Sequence, residues 1–155
     1  MAATSTNKQP LLMDHVLHYA VNLDNSINDG LEISGSNTAT ILIDSTTADG
    51  AIVEDIYAIA RGTTPYTVNL YLSTARDYLR PNEAVFIGSV TSATTAGDVV
   101  HWEEMPRVLA PVPQTGSDSF NKALYVPKGY ALWAARNSTA NVSDGPIVGC
   151  QGGWY

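Results

Sequence analysis

The most regular alternation of hydrophobic and polar positions in this chain lies at residues 66–72, Tyr-Thr-Val-Asn-Leu-Tyr-Leu. Its even-numbered positions are all large and hydrophobic, whereas Thr67 and Asn69 between them are polar. A period of two residues is typical of a β-strand with one face on a hydrophobic core, and β-branched and aromatic side chains suit such a face. The pattern predicts a strand whose even positions are buried and whose odd positions, Tyr71 included, face water or a partner.

A second hydrophobic run, residues 53–60, comes just before this strand. The two runs are joined by residues 61–65, Arg-Gly-Thr-Thr-Pro, in which Gly62 and Pro65 interrupt a strand. Two strands over a short polar loop form a β-hairpin, so the sequence predicts that these two runs pair with each other.

The rest of the chain repeats short hydrophobic runs separated by turn residues. Residues 28–30, 48–50 and 127–129 each end in Gly and predict turns, the first of them a tight hairpin turn. Residues 74–79 predict one helical turn, whereas residues 11–23 fit a helix or a strand, of which we favour the strand because its neighbours are β-like. Further strands are predicted at residues 31–34, 40–44, 84–90, 99–103, 122–126, 130–136 and 146–155. Short strands at intervals of roughly ten residues predict an all-β fold, an antiparallel β-sandwich of jelly-roll type.

The chain of 155 residues has the length of one domain. Residues 1–10 are small and polar and end in Pro10, which predicts a flexible N-terminal arm; it is either a frayed end or a segment that orders on a neighbouring subunit. Residues 11–155 are predicted to form a single β-sandwich domain. The residues expected in its core are Ile56, Val68, Leu70, Leu72, Leu132 and Val148.

The net charge of the chain and the composition of its first ten residues limit the classes of partner that we expect it to bind. The net charge is −7 with only eight Lys and Arg residues, so the sequence lacks the basic run that binding to nucleic acid requires. No apolar run approaches the ~20 residues that span a bilayer, and the first ten residues do not form a signal peptide, so we expect no membrane contact. Cys150 is the only cysteine, which excludes an intrachain disulfide and favours assembly in a reducing cytoplasm.

The sequence offers little chemistry. It contains no nucleophile elbow, no zinc-protease motif and no phosphate-binding loop. His15 and His18 point to opposite faces of a strand, and His101 shares a face with Glu103 at about 7 Å but without a nucleophile nearby. We therefore predict that the protein is not an enzyme and binds no cofactor or metal. The three tryptophans and eight tyrosines suit a sugar-binding platform, although large aromatics in a sandwich belong more often to the core or to an interface.

Four short motifs follow one another between residues 57 and 136. They are a strand that ends in a polar turn (residues 57–64), the alternating strand (67–72), a loop of small residues (91–97) and a Val-Pro-Lys-Gly turn (126–129) followed by a strand of small and aromatic residues. This order, from about Ile52 to Gln151, resembles that of small β-sandwich virion proteins of tailed bacteriophages, which decorate or cement the capsid. Residues 1–50 and 152–155 lie outside the resemblance.

The resemblance implies a non-enzymatic protein of the virion capsid surface, assembled in the host cytoplasm, that binds the lattice of the major capsid protein and stabilises the head. Its alternatives are a tail or fibre accessory protein and a carbohydrate-binding β-sandwich module. Sparse charge, the proline-rich run 107–113 and the aromatic C-terminus predict self-association, as a homotrimer. The predicted partner contacts are Met1, Lys8, Gln9, Pro10, Arg107, Pro111, Pro113, Trp154 and Tyr155.

Overall fold

The computed structural model describes residues 15–33, 38–80, 82–102, 123–137 and 143–154. The predicted arm (residues 1–10) and the proline-rich run (107–113) lie outside these ranges. The described residues contain strands and turns but no helix. The strands are β1 (His15–Asn22), β2 (Thr40–Asp44), β3 (Gly50–Ile59), β4 (Thr67–Ser73), β5 (Ala84–Thr91), β6 (Val99–His101), β7 (Leu124–Pro127), β8 (Ala131–Arg136) and β9 (Ile147–Trp154).

The strands form two antiparallel sheets that pack face to face. Sheet A has the order β1-β9-β3-β6, and β7 pairs with the first half of β3. Sheet B has the order β2-β8-β4-β5. Pairing is nested along the chain: β1 pairs with β9, β2 with β8, β3 with β6 and β7, and β4 with β5. The predicted antiparallel β-sandwich is confirmed.

The main core lies between the two sheets and contains every residue that the sequence predicted there. Leu70 of sheet B and Ile56 of sheet A are completely buried, and both belong to one continuous hydrophobic cluster. Burial of one such side chain stabilises a fold by about 1.5–3 kcal/mol. The other predicted core residues in this cluster are Val68, Leu72, Leu132 and Val148.

The predicted hairpin between residues 53–60 and 66–72 is wrong, because these two runs belong to different sheets. β3 bonds to β9 on one side and to β6 and β7 on the other, so neither of its edges is left for β4. The loop after β3 crosses between sheets: the Ala60 N–H donates to the Asp98 carbonyl at 3.0 Å, and the Tyr66 N–H donates to Ser92 Oγ at 3.0 Å. Hydrophobic alternation specifies which face of a strand is buried, not which strand lies beside it.

Two local predictions are also wrong. Residues 31–33 form no strand, because the Asn28 side-chain amide donates to the Gly30 carbonyl at 2.9 Å and to the Glu32 carbonyl at 3.0 Å and so holds a compact loop instead of a hairpin turn. Residues 74–79 form bends rather than a helical turn, and Leu79 is buried against sheet B. Contacts with the sheet override local preference in both segments. Of the other predicted strands, 40–44 matches β2, and the rest differ at their ends by a few residues.

The outer face of sheet B is covered. Residues 23–33 and 74–80, called here the cover segments, supply Ile33 and Leu79 to a second hydrophobic cluster with Tyr71 and Trp133. Tyr71 is 0% exposed, although the alternation of β4 predicted that it faces water or a partner. Burial raises the pKa of its hydroxyl, which donates to the Gly30 carbonyl at 2.8 Å. The predicted even face of β4 is confirmed, and the predicted exposure of its odd face is wrong.

Arg136 at the end of β8 ties the first cover segment to the sandwich. Its side chain is 0% exposed. Its Nε donates to the Leu23 carbonyl at 2.9 Å and its Nη2 to the Asp24 carbonyl at 2.8 Å. The guanidinium also lies 4.8 Å from the centroid of the Tyr66 ring. Buried polar groups need partners of this kind, because an unpaired buried donor or charge is costly.

Candidate binding surface

The outer face of sheet A is open, in contrast to that of sheet B. Along β1, Val16 is 84% exposed and His18 is also exposed, and along β9 the exposed residue is Gln151. No other described segment packs over this face in the way that the cover segments pack over sheet B. The open face therefore holds the surface side chains from which a binding site can be built.

Tyr57 lies at the centre of the open face, where its ring crosses the neighbouring strand at Gly149. A Cβ atom at Gly149 would lie 2.2 Å from Tyr57 Cζ, so only glycine leaves room for the ring in this position. The ring reaches β1, where the Tyr57 hydroxyl lies 3.1 Å from His18 Nε2. Burial of the hydroxyl, followed by the charges of Cys150 and Asp55, raises the pKa of Tyr57.

A second group of polar side chains flanks the other edge of Tyr57. The His101 ring centroid lies 6.2 Å from that of Tyr57, and His101 Nδ1 is 3.0 Å from both carboxylate oxygens of Asp55. The Gln151 amide donates to Asp55 Oδ2 at 3.4 Å. These residues come from β1, β3, β6 and β9, and sheet register alone brings them together. The Tyr57 cluster is defined here as His18, Asp55, Tyr57, His101 and Gln151.

The Tyr57 cluster offers hydrogen bonding and an aromatic ring. The described residues contain no group of three or more His, Cys, Asp or Glu side chains placed to hold a metal ion. Cys150 lies on the opposite, inner side of sheet A, and burial raises the pKa of its thiol to about 12. A thiol of that pKa stays protonated at neutral pH and is a poor nucleophile. The described residues also contain no helix that is long and hydrophobic enough to cross a membrane.

Both ends of the described sandwich meet at one corner of sheet A. His15, the first residue of β1, is paired with Trp154, the last residue of β9. Trp154 packs against the core cluster, and Val16 beside it is 84% exposed. Of the predicted partner contacts only Trp154 is described. The other eight, Met1, Lys8, Gln9, Pro10, Arg107, Pro111, Pro113 and Tyr155, lie outside the described residues.

An apolar cleft of ≈ 350 Å³ opens beside this corner, between the edge strands of the two sheets. Its walls are residues 16–19 of β1, residues 41–44 of β2 and Trp154. β1 has no Lys, Arg, Asp, Glu or Pro in its eight residues, although such residues commonly protect an edge strand from pairing with another chain. The corner therefore combines an unprotected strand edge with an exposed hydrophobic patch.

Several expectations about aromatic and polar residues are resolved by burial. Trp102 and Trp133 are 7% and 2% exposed, so these two belong to the interior, as the sequence interpretation favoured. His15 and His18 lie on β1 at positions of opposite parity, as predicted. Sequence reasoning missed Asp55 and Tyr57, because it read residues 53–60 as one apolar run. It placed Gln151 in the last predicted strand, residues 146–155, and gave it no role. The available signal was the alternation of polar Asp55 and Tyr57 with buried Ile56 and Ala58.

Comparison of the chain with protein-family models, with curated protein sequences and with solved structures finds no match.

Proposed function

We propose that this protein is a non-enzymatic structural protein of a tailed bacteriophage virion, a capsid decoration protein that binds the lattice of the major capsid protein and stabilises the head. The observation that carries this proposal is the pairing of His15 with Trp154. It brings the start of β1 and the aromatic C-terminus to one corner, beside exposed Val16 and the apolar cleft. The described residues nearest to two of the predicted contact segments, His15 and Trp154, therefore lie at one corner.

The strand order supports the same proposal. β1 pairs with β9, β2 with β8, β3 with β6 and β7, and β4 with β5. This nested order of pairing is expected of a jelly roll. Jelly rolls occur in viral capsid domains and in lectin domains. One fold hosts many functions, so the strand order is compatible with several roles, and the corner at His15 and Trp154 supports the capsid role among them.

The proposed mechanism is burial of apolar surface against the capsid. In the sheet that the described residues form, β1 is an edge strand. Its outer edge would offer backbone N–H and C=O groups to an extended segment, and the cleft beside it would accept alternate side chains of that segment. Each 100 Å² of apolar area removed from water contributes roughly 2.5 kcal/mol. Association as a homotrimer, favoured by the low charged fraction of 15%, multiplies this effect because three linked contacts bind with a higher effective concentration.

A matched pair of substitutions tests the corner. Val16 and Val85 are 84% and 58% exposed, and both lie on edge strands, β1 of sheet A and β5 of sheet B. We expect Val16→Asp to lower retention on purified capsids that lack the protein by about tenfold or more, since a charge must then be buried at the contact. Val85→Asp should bind like the unmodified chain. Equal binding of the two variants, or no binding of the unmodified chain to capsids, contradicts the proposal.

A second candidate function is a carbohydrate-binding module on a phage tail or fibre. The observation that favours it is the Tyr57 cluster, which places an aromatic ring and several polar groups on the open face of sheet A. This cluster adjoins the corner, since His18 lies two residues from Val16 on β1 and also lines the cleft.

A further inference from the structure

We propose that the Tyr57 cluster is a binding site for neutral carbohydrate, in which a pyranose ring stacks on Tyr57 and its hydroxyl groups bond to Asp55, Gln151 and the two histidines. This inference names a site and a ligand class and rests on the second candidate function. Its readout, glycan binding, is separate from capsid docking, while the two surfaces adjoin, because His18 of the cluster lies two residues from Val16 on β1 and also lines the cleft.

The first step of the argument is the fixed position of the aromatic ring. Tyr57 lies across Gly149, and its hydroxyl is held by His18 Nε2 at 3.1 Å. Both contacts restrain the side chain before any ligand arrives, so little rotamer entropy is lost on binding. Aromatic rings supply large, rigid contact area together with a polar tip, and the C–H face of a pyranose is the apolar part of a sugar.

The second step is the polar surround. Asp55 is an acceptor, the Gln151 amide is both donor and acceptor, and each histidine offers ring nitrogens. A sugar hydroxyl both donates and accepts, so it matches such a mixed set. Asp55 is itself oriented by His101 at 3.0 Å and by Gln151 at 3.4 Å. Groups fixed by their neighbours hold the geometry that a small polar ligand needs.

The third step is space around the ring. The row that contains Tyr57 reads Ala20, Gly149, Tyr57 and His101 across four strands. The ring itself fills the space above Gly149, and beyond it on β1 this row carries only the small side chain of Ala20. This small neighbour leaves more room for a flat ligand beside the ring than a large side chain would.

The fourth step is charge. The Tyr57 cluster contains a carboxylate and no Lys or Arg, and the whole chain carries a net charge of −7. An acidic sugar would meet repulsion from Asp55 and from the rest of the surface. The site therefore favours neutral hexoses over sialic or uronic acids.

The competing explanation is that Tyr57 only protects Gly149, as aromatic residues do beside glycine in a sheet. That role requires the ring but not Asp55 or Gln151. The contact between Asp55 and His101, with the His101 side chain 56% exposed, also contributes little to stability, as exposed polar pairs do. Removal of the polar groups therefore separates the two explanations.

The test is a glycan array of neutral and acidic oligosaccharides, followed by titration of the full chain with the neutral glucose, mannose and galactose oligosaccharides at up to about 10 mM, a range that detects weak single sites. We expect at least one neutral oligosaccharide to bind. Asp55→Asn and Tyr57→Ala should each weaken that binding by about tenfold or more, whereas Tyr130→Ala, at a tyrosine that is 38% exposed outside the cluster, should leave it unchanged.

Asp55→Asn and Gln151→Ala keep the ring on Gly149 and so keep the fold, which guards against a trivial loss of structure in Tyr57→Ala. No binding of any neutral oligosaccharide, preference for acidic ones, or binding that survives both Asp55→Asn and Tyr57→Ala overturns the proposal. A glycan result of either sign leaves the capsid test with Val16→Asp unaffected, so the two proposals fail separately.

Discussion

The outer faces of the two sheets differ, although the strands that build them carry similar alternating patterns. On sheet B the outward residue Tyr71 is completely buried beneath the cover segments. On sheet A the outward residue Tyr57 remains partly exposed among polar neighbours. Both rings are tied by their hydroxyl groups, Tyr71 to Asn28 and Gly30 and Tyr57 to His18. The same residue type is thus an interior anchor on one face and a surface group on the other.

The difference comes from the chain that follows β1 and β4. Residues 23–33 and 74–80 return across sheet B, and buried hydrogen bonds from Asn28 and Arg136 hold the first of them in place. No described segment returns across sheet A in this way. Among the described residues, the outer face of sheet A is therefore left free because the connections 23–33 and 74–80 both return across sheet B, and binding residues are found on such surfaces more often than in the interior.

We expect the largest loss of stability from Arg136→Ala, which removes the side chain that holds the first cover segment against the sandwich. The substitution leaves the carbonyls of Leu23 and Asp24 without the donors at 2.9 and 2.8 Å that they have now. Unpaired buried polar groups and the cavity together should lower the free energy of unfolding by about 3–5 kcal/mol. Urea unfolding measures the change. Arg80→Ala is the control, since its side chain is 58% exposed, and it should leave the free energy of unfolding nearly unchanged.

A smaller loss is expected when the anchor of the cover segments is weakened through Tyr71→Phe. The Tyr71 hydroxyl accepts from the Asn28 amide at 2.6 Å and donates to the Gly30 carbonyl at 2.8 Å. Phenylalanine keeps the ring but removes both hydrogen bonds, and because Asn28 and Gly30 remain bonded to each other, the loss should be about 0.5–1.5 kcal/mol. Hydrogen exchange at residues 28–33 should also become faster. An unchanged midpoint of unfolding would show that the cover segments hold without this contact.

Alkaline pH tests whether the inner side of open sheet A is as dry as the core beneath sheet B. Burial raises the pKa of Cys150 from its ordinary 9.0 to about 12, so the folded state keeps a proton that the unfolded state releases. This contribution to stability is complete below pH 9 and is lost as pH rises towards 12, by at most about 1.4 kcal/mol per pH unit. Urea unfolding from pH 8 to 10 should show this fall in the unmodified chain and a shallower one in Cys150→Ala. Identical slopes would mean that water reaches the thiol.

The smallest effect is expected for Tyr57→Phe on the open face. The substitution removes a hydroxyl that bonds only to exposed His18 at 3.1 Å and keeps the ring over Gly149. Such a surface change should alter the free energy of unfolding by less than about 0.5 kcal/mol. A loss as large as that of Tyr71→Phe would remove the contrast between the two faces and mark Tyr57 as a structural residue.

Much of the fold follows from local pattern. Residues 66–72 alternate, and Val68, Leu70 and Leu72 face the core as the pattern predicts. Glycine turns such as 127–129 also end strands where expected, because Gly129, with φ of 85°, adopts a backbone conformation that other residues rarely take. Local pattern did not predict which strands pair with each other, since β3 and β4 are adjacent in sequence but lie in different sheets.

Even less of the candidate site could be predicted from the sequence. Each of its residues is an ordinary surface side chain in its own strand. Only the register of four strands places Tyr57 beside His101 on one side and, across Gly149, near His18 on the other. Register depends on which edges meet, and no short stretch of sequence carries that information. The polar alternation of Asp55 and Tyr57 in β3 marks an outward face but does not indicate what lies beside it.

The sequence by itself determined the class of fold, the position of most strands and the side of β4 that is buried, because a period of two residues and glycine turns act within a few residues. The tertiary structure alone decided that the odd face of β4 is covered, that Arg136 is an interior residue and that both ends of the sandwich meet at His15 and Trp154. These features depend on contacts between residues far apart in the chain, such as Arg136 with Leu23. Such contacts form only when two sheets have closed around a common core.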